Sequence, residues 1–152
     1  MAKYNLQEKK EKPATYRLHI RPELIDALYE GILRKMVVDK VFRDPHYTAQ
    51  RIADELQTNT RYISATMSLR FQQNFSEFLA GFRIREAAAM LTDRRLASMT
   101  MEEIALQSGF ANRQTFYAAF YRFYKKTPKL YQKEFLQKYQ THKSPVRTTT
   151  KQ

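Results

Sequence analysis

The chain has 152 residues, which is room for one ordinary domain or for two very small ones that share a core, and which excludes a sensory domain beside an effector domain. Its 27 basic and 15 acidic side chains give a net charge of +12, which favours a polyanionic partner, either nucleic acid or an acidic membrane surface. Because it has no cysteine, disulfides, thiolate nucleophiles and cysteine-ligated metals are excluded.

The first 21 residues form a basic amino-terminal extension with six basic and two acidic side chains. This extension lacks the apolar stretch of a signal peptide. The longest apolar run in the chain, Ala87 to Leu91, has five residues, too few to cross a membrane. We therefore predict a soluble cytoplasmic protein with no membrane partner and no small-molecule effector domain in this chain.

Residues 22–140 carry the start and stop signals of helices. The chain has only three glycines, and no strand-like alternation lies between turn dipeptides. Two cap residues are followed three positions later by glutamate, as in a capping box: Asn74 with Glu77, and Thr100 with Glu103. The signals predict an all-α fold of about seven helices: Pro22 to about Phe42, Thr48 to Leu56, Asn59 to about Phe71, Asn74 to Leu91 or Asp93, one capped by Thr100, Asn112 to Tyr124, and one from Thr127-Pro128.

One short pattern occurs twice in this helical region: Ile52-Ala53, Asn59 and Ile63 in the first half, and Ile104-Ala105, Asn112 and Phe116 in the second. A short helix, a tight turn and a capped second helix are typical of the helix-turn-helix, whose second helix lies in the DNA major groove. We predict two such units, at about 22–74 and 94–140, joined by a linker helix over 75–93. Residues 141–152 have too few apolar side chains to fold and are predicted to be a disordered basic tail.

The linker helix sets the distance that one chain can span. Its 19 residues, Phe75 to Asp93, would extend over roughly 28 Å at about 1.5 Å per residue. Successive major grooves on one face of a duplex lie ~34 Å apart. The sequence therefore predicts that one chain places two recognition helices in adjacent grooves.

These features resemble the DNA-binding domain of the AraC/XylS family of bacterial transcription regulators. The second half matches the family signature in Arg83-Ile84, Ala87, Leu91, Met101, Ile104-Ala105, Gly109-Phe110, Phe116, Phe120, Thr127-Pro128 and Tyr131; the first half matches more loosely, in Ile52-Ala53, Leu56, Tyr62-Ile63-Ser64 and Asn74 to Leu79. Gln57 and Lys125 stand where the family usually has glycine. If the backbone there needs a positive φ, each costs about 1 kcal/mol.

The resemblance implies a transcription regulator with double-stranded DNA as its partner. We take it to be an activator, and the sequence leaves repression open as the alternative. It also implies RNA polymerase as a second partner and a location at the nucleoid. No enzyme activity is expected.

In the first candidate recognition helix, Ile63 marks the core side. Arg61, Ala65 and Ser68 fall on the opposite side at about 100° per residue. Arg61 is a predicted base contact because its guanidinium can bond guanine O6 and N7, although a solvated arginine would give the same pattern. Ser64 is assigned to the bases as well, and the small Ala65 would allow close approach or contact with a thymine methyl.

The second candidate recognition helix has two faces, a predicted core face with Phe116, Phe120 and Phe123, and an opposite face with Gln114, Ala118, Arg122 and Lys125. Gln114 can bond adenine N6 and N7. The resemblance places Arg113, Gln114 and Thr115 at base-contacting positions, although Arg113 falls nearer the aromatic side. Ala118 could contact a thymine methyl.

Contacts to the DNA backbone are assigned to polar and basic residues of both units: Asn59, Thr60, Ser68, Asn112, Arg122, Lys125, Lys126 and Lys129. Between Ile104 and Leu136 there are six basic and one acidic side chains, which suits an edge that faces phosphates. Solvated lysines explain part of this pattern. The aromatic residues between 116 and 124 also allow stacking on single-stranded bases, but core packing is the better explanation for the phenylalanines.

Catalytic and metal-binding patterns are missing from the sequence. His19, His46 and His142 are scattered, and no P-loop or GxGxxG motif occurs. We therefore expect no enzyme activity, no cofactor and no metal. Two other functions fit a basic helical domain: an interaction module that docks on an acidic protein partner such as polymerase, and a sequence-neutral binder of RNA or DNA.

Overall fold

The computed structural model describes residues 20–143, with side chains up to residue 140. Within that part of the chain the fold is all-helical, as predicted, with seven α-helices. They are α1 (Pro22–Val37), α2 (Ala49–Glu55), α3 (Thr60–Thr66), α4 (Phe75–Leu91), α5 (Met101–Gln107), α6 (Arg113–Tyr124) and α7 (Pro128–Lys143). Short 3₁₀ turns lie at Val41–Arg43 and Arg94–Leu96, and a π-helical segment, Met67–Phe71, follows α3.

The predicted helix starts are confirmed by their hydrogen bonds. In five of them the side chain of the cap residue accepts a hydrogen bond from a backbone N–H three residues later: Thr48 from Arg51, Asn59 from Tyr62, Asn74 from Glu77, Asn112 from Thr115, and Thr127 from Leu130. Thr100 and Glu103 form the complete capping box, with both reciprocal bonds present. The starts of these helices thus follow from local chemistry at their amino termini, whereas α1 begins at Pro22 without a side-chain cap.

Two helices differ from the prediction at their carboxyl ends. The first helix ends at Val37 rather than near Phe42, because Lys40 takes a left-handed φ of 53° and the chain turns to bury Phe42. The third ends at Thr66, and the predicted last turn to Phe71 is π-helical. The linker helix α4 has 17 residues and ends at Leu91, the earlier of its two predicted ends.

The chain divides into two compact units. Unit 1 comprises residues 20–41 and 47–79 of the described chain, and unit 2 comprises residues 42–46 and 80–143. The boundary therefore falls within α4. The basic extension, apart from residues 20 and 21, and the tail after residue 143 lie outside the described residues, and α7 extends three residues into the predicted tail.

Each unit has its own buried side chains. Unit 1 buries Ile25, Leu28, Ile32, Met36, Ile52, Ala53, Ile63, Met67 and Phe78. The core of unit 2 contains Ile84, Ala87, Ala88, Leu91, Ile104, Ala105, Phe110, Phe116, Ala119 and Phe120. Residues of α4 occur in both sets, which agrees with the predicted apolar character on more than one side of this helix.

Segment 42–46 is part of unit 2 although it follows α1 in the sequence. The half-buried Arg83 guanidinium donates hydrogen bonds to the carbonyl oxygens of Phe42 (2.6 Å) and Asp44 (2.8 Å). Burial lowers the pKa of Arg83 below its usual value, and the charge of nearby Asp44 offsets only part of this effect. Arg43 forms a two-point ion pair with Glu86, and the hydrogen bonding of its guanidinium to this carboxylate raises the pKa of Arg43. These bonds attach the segment to α4.

Candidate nucleic-acid interface

Both predicted recognition helices are present, and each follows a short helix and a turn. Helices α2 and α3 form the first pair, and α5 and α6 form the second. The turn residue Gln57 has a φ of 56°, and Lys125, after α6, has a φ of 59°. Both positions that depart from the family's glycine therefore require the left-handed backbone, at a cost of about 1 kcal/mol each.

In α3, the first turn presents polar side chains to solvent. Ile63 is completely buried, whereas Asn59, Thr60, Arg61 and Ser64 are exposed. Ser68, in the π-helical segment, is half-buried. The predicted base contacts of this helix, Arg61 and Ser64, are therefore on the surface of unit 1.

The prediction for Ala65 is wrong. Only 3% of its surface is exposed, because Ile20 and Ile25 cover it, with Leu24 and Tyr62 at the edge of the same cluster. The covering residues precede Ala65 by 40 positions or more, so the periodicity of α3 alone could not reveal them. A buried methyl cannot contact a thymine, and Ala65 is a core residue.

In α6, the first turn is exposed and is capped by Asn112. Arg113, Gln114 and Thr115 are all on the surface, and Phe116 is completely buried. The Thr115 hydroxyl donates to the carbonyl oxygen of Asn112 at 3.0 Å, which orients this side chain along the helix. One turn later Ala118 is exposed, in agreement with its predicted face.

Arg113 has a defined position against an aromatic ring. Its guanidinium carbon lies 4.9 Å from the centre of the Tyr117 ring, and one of its nitrogens is 3.5 Å from the Tyr117 hydroxyl. A cation over an aromatic face is attracted by the ring electrons. Tyr117 was not predicted as part of the site, although its spacing of four residues from Arg113 places the two side chains on one face of α6.

Two open pockets adjoin the first turn of α6. One, of about 400 Å³, is lined by Met99, Thr100, Met101, Glu102, Arg113 and Lys129. The other, of about 440 Å³, is lined by Glu102, Leu106, Ala111, Asn112, Arg113 and Gln114. Arg113 and Glu102 line both. Three elements, α5, α6 and α7, thus bring polar and basic groups together around the predicted base-contacting residues.

The predicted basic edge of unit 2 is mostly exposed. Arg122, Lys125 and Lys129 are on the surface, and Lys126 is half-buried in an ion pair with Glu134 at 2.6 Å. A lysine in such a pair attracts a phosphate less strongly than a lysine without a nearby carboxylate. Among these four residues, Lys126 has the weakest structural support as a backbone contact.

Phe123 does not belong to the core, contrary to the prediction. It is 45% exposed, whereas Phe116 and Phe120, on the same predicted face, are completely buried. The core of unit 2 includes Phe120 but does not extend to Phe123, near the end of α6. The Arg122 guanidinium lies 5.9 Å from the Phe123 ring centre, so a cation covers part of it.

The two units differ in charge. The described part of unit 1 has seven basic and seven acidic side chains, whereas unit 2 up to residue 140 has twelve basic and six acidic ones. Attraction to a polyanion therefore comes from unit 2 and from the terminal segments. Among the described residues, no group of three or more histidine and acidic side chains could hold a metal ion. No helix within residues 20–143 is long and apolar enough to cross a bilayer.

Comparisons with known proteins agree with this geometry. A family model described as a helix-turn-helix domain matches residues 52–134, from α2 to α7. A search of curated proteins found no match.

Three solved structures have a similar fold. The C-terminal domain of the two-component response regulator yesN from Fusobacterium nucleatum is 25% identical, with a TM-score of 0.59 over 66% of this chain and 94% of that one. The C-terminal domain of AraT, a response regulator from Geobacillus stearothermophilus, is 20% identical, with a TM-score of 0.61 over 76% and 88%. A DNA-binding transcriptional dual regulator from Escherichia coli K-12 is 20% identical, with a TM-score of 0.58 over 67% and 87%.

Proposed function

Because the chain belongs to the AraC/XylS family of helix-turn-helix transcription regulators, we propose that it binds double-stranded DNA sequence-specifically through α3 and α6. The observation that carries the proposal is the exposed, capped first turn of both helices. In each, the side chains predicted to meet bases are at the surface and the next core residue, Ile63 or Phe116, is completely buried. That arrangement suits insertion of the amino-terminal turn into a major groove.

The proposed base contacts are Arg61 and Ser64 in α3, and Arg113, Gln114 and Thr115 in α6. Arg61 would bond guanine, and Gln114 would bond adenine N6 and N7. The Arg113 guanidinium, supported by the Tyr117 ring, has two or more donors for a base edge.

The proposed backbone contacts fall into two sets. The caps and small polar residues Asn59, Thr60, Ser68 and Asn112 lie in or beside the recognition helices, and the cations Arg122, Lys125, Lys126 and Lys129 line unit 2. Lys129 shares a pocket with Thr100 and Arg113, so this pocket has two cations and one carboxylate. A phosphate would be attracted there.

The use of two adjacent grooves rests on the linker. Helix α4 is a single helix of 17 residues, about 26 Å long at about 1.5 Å per residue, and it lies between the two helix-turn-helix pairs along the chain. We propose one asymmetric site with two contacted segments about 10 base pairs apart.

A binding-site selection followed by hydroxyl-radical footprinting tests the proposal. The selected duplex should bind at least about 10³-fold more tightly than random duplex at one fixed salt concentration. The footprint should show two protected segments with one protein chain per duplex. Equal affinity for both duplexes would support a sequence-neutral binder instead, and no affinity for either would support a protein-interaction module.

Transcription activation through RNA polymerase and a location at the nucleoid stay predictions that follow from DNA binding. Transcription in a purified system, with the selected site placed at several distances from a promoter, measures the first. A rise in transcript at some of these distances is the expected result, and a fall at every distance would indicate repression.

A further inference from the structure

Helix α5 has one apolar side chain on its outer surface. Ile104 and Ala105 are completely buried, whereas the next residue, Leu106, is 57% exposed. A single exposed leucine is common in proteins and carries no meaning by itself. Its neighbours decide whether it has a role.

Leu106 lines the pocket of about 440 Å³ that adjoins the first turn of α6. The apolar side chains that line this pocket are Leu106 and Ala111. Its polar side chains include Gln114, the proposed adenine contact. A pocket of this volume is on the order of 8 Å across, or about two base-pair steps of 3.4 Å each. An apolar surface and an amide are therefore within reach of the same or neighbouring base pairs.

The charge of this pocket makes a base edge a better occupant than a phosphate. It contains one carboxylate, Glu102, and one guanidinium, Arg113, and so it has no excess of positive charge. The neighbouring pocket adds Lys129 and is the more favourable one for a phosphate. Among the groups on the major-groove edges of the four base pairs, the 5-methyl group of thymine is the only alkyl group and the largest apolar one.

We propose that Leu106, together with Ala111, contacts the 5-methyl group of a thymine within two base pairs of the adenine contacted by Gln114. This inference rests on the proposed function, because it assigns one more specificity-determining contact to the same DNA site. It places a leucine from outside the recognition helix among the residues that select the sequence.

The test replaces single thymines of the selected site by deoxyuridine, which removes only the 5-methyl group and keeps the base pairing. At one thymine of the segment that α6 protects, the parent should lose about fourfold in affinity, the value of one buried methyl-sized group. Leu106→Ala should bind the thymine duplex more weakly than the parent does. Its affinity should fall by less than about 1.5-fold when deoxyuridine replaces that thymine, because the variant already lacks the contact. Leu106→Met, which keeps an apolar side chain of similar reach, should restore the sensitivity.

Val37→Ala serves as the matched control, because Val37 is 59% exposed and lies in unit 1 at the end of α1. It should behave as the parent on every duplex, and thermal melting should show that all variants are folded. The inference alone is overturned if the parent is specific but insensitive to every deoxyuridine, if Leu106→Ala keeps the full fourfold loss, or if the selected segment contains no thymine. Equal binding of the parent to selected and random duplex would overturn the proposed function as well.

Discussion

The two helix-turn-helix units share one sequence pattern but present different surfaces. In unit 1 basic and acidic side chains are equal in number, its recognition helix α3 is seven residues long, and Ala65 in that helix is covered by Ile20 and Ile25. In unit 2 basic side chains are twice as numerous as acidic ones, α6 has 12 residues, and the corresponding Ala118 is exposed.

The two units thus share a buried isoleucine–alanine pair and differ in the charge of their surfaces. Ile52-Ala53 and Ile104-Ala105 are all completely buried in their units. The surface groups that attract phosphate are concentrated in unit 2. We therefore expect the second unit to supply most of the salt-dependent affinity and the first to add base discrimination.

The largest expected effect concerns the turns of the two units. Gly109 has a φ of 104°, and a Cβ there would overlap the carbonyl oxygen of Phe42 and lie 2.9 Å from Arg83 Nε. Gly109→Ala should lower the free energy of unfolding by about 3 kcal/mol or more. At the first turn, Gln57→Gly should raise it by about 1 kcal/mol or less, because it relieves the left-handed strain.

Urea unfolding of both variants and the parent measures these changes in the free energy of unfolding. The helical Gly81 is the control, since a Cβ there meets only ordinary contacts at 3.7 Å or more. Gly81→Ala should stabilise the protein by about 0.5–1 kcal/mol. A Gly109→Ala variant as stable as the parent would show that the second turn tolerates a side chain.

The second expected effect is a difference in stability between leucine variants of Ala65 and Ala118. Ala65→Leu should destabilise the protein by about 1–3 kcal/mol, because a larger side chain must fit between α3 and the residues that cover it. Ala118→Leu should leave the melting temperature nearly unchanged, since this position is open. Thermal unfolding followed by circular dichroism measures both. Equal destabilisation by the two substitutions would mean that Ala65 and Ala118 do not differ in burial.

The third expected effect is on base discrimination. Arg61→Ala and Gln114→Ala should each weaken binding to the selected site by about 1–3 kcal/mol and relax the preference at a different part of it. Binding-site selection on each variant measures the change, with the exposed Arg34→Ala and Gln140→Ala as controls. If only Gln114→Ala alters the motif, unit 1 is a scaffold and unit 2 alone reads sequence.

The fourth expected effect is on salt dependence. Lys129→Ala should weaken binding to selected and random duplex by the same factor, and the slope of log K against log salt should fall by about 0.9. Arg34→Ala, in the electrically neutral unit 1, should leave the slope unchanged. A slope that falls for Arg34→Ala and not for Lys129→Ala would reverse the assignment of the phosphate-binding unit.

The smallest expected effect concerns acid stability in unit 1. Burial raises the pKa of Glu55, but hydrogen bonds from Tyr47 and Lys35 lower it by more, so the net pKa lies below its usual value. The stabilisation is therefore present above the ordinary pKa of about 4.3 and is lost as the pH falls through the folded-state pKa. Unfolding of Glu55→Gln below pH 5 should depend less steeply on pH than that of the parent. An identical pH dependence would show that Glu55 does not contribute.

The sequence predicts what local chemistry determines. The caps at Thr48, Asn59, Thr100 and Asn112 are predictable from residue type, because each side chain needs only a backbone N–H three residues away as its partner. The left-handed backbone at Gln57 and Lys125 followed from the family pattern.

The features that the sequence did not predict depend on distant residues. Ala65 is covered by residues that lie far from it along the chain, and the first helix ends early because Phe42 is buried beside Arg83. Leu106 lies beside Gln114 only because α5 and α6 line a common pocket. Helical periodicity assigns a face to each side chain but does not show which other segment covers that face.

The attachment of residues 42–46 to Arg83 and Glu86 makes unit 2 discontinuous along the chain. The chain changes unit after residues 41, 46 and 79, so three peptide connections join the two units. A protease that cuts any one of them leaves two others intact, and a single nick should not release a separate half in solution. During synthesis, segment 42–46 emerges before α4, and the second unit can be completed only when Arg83 has followed it.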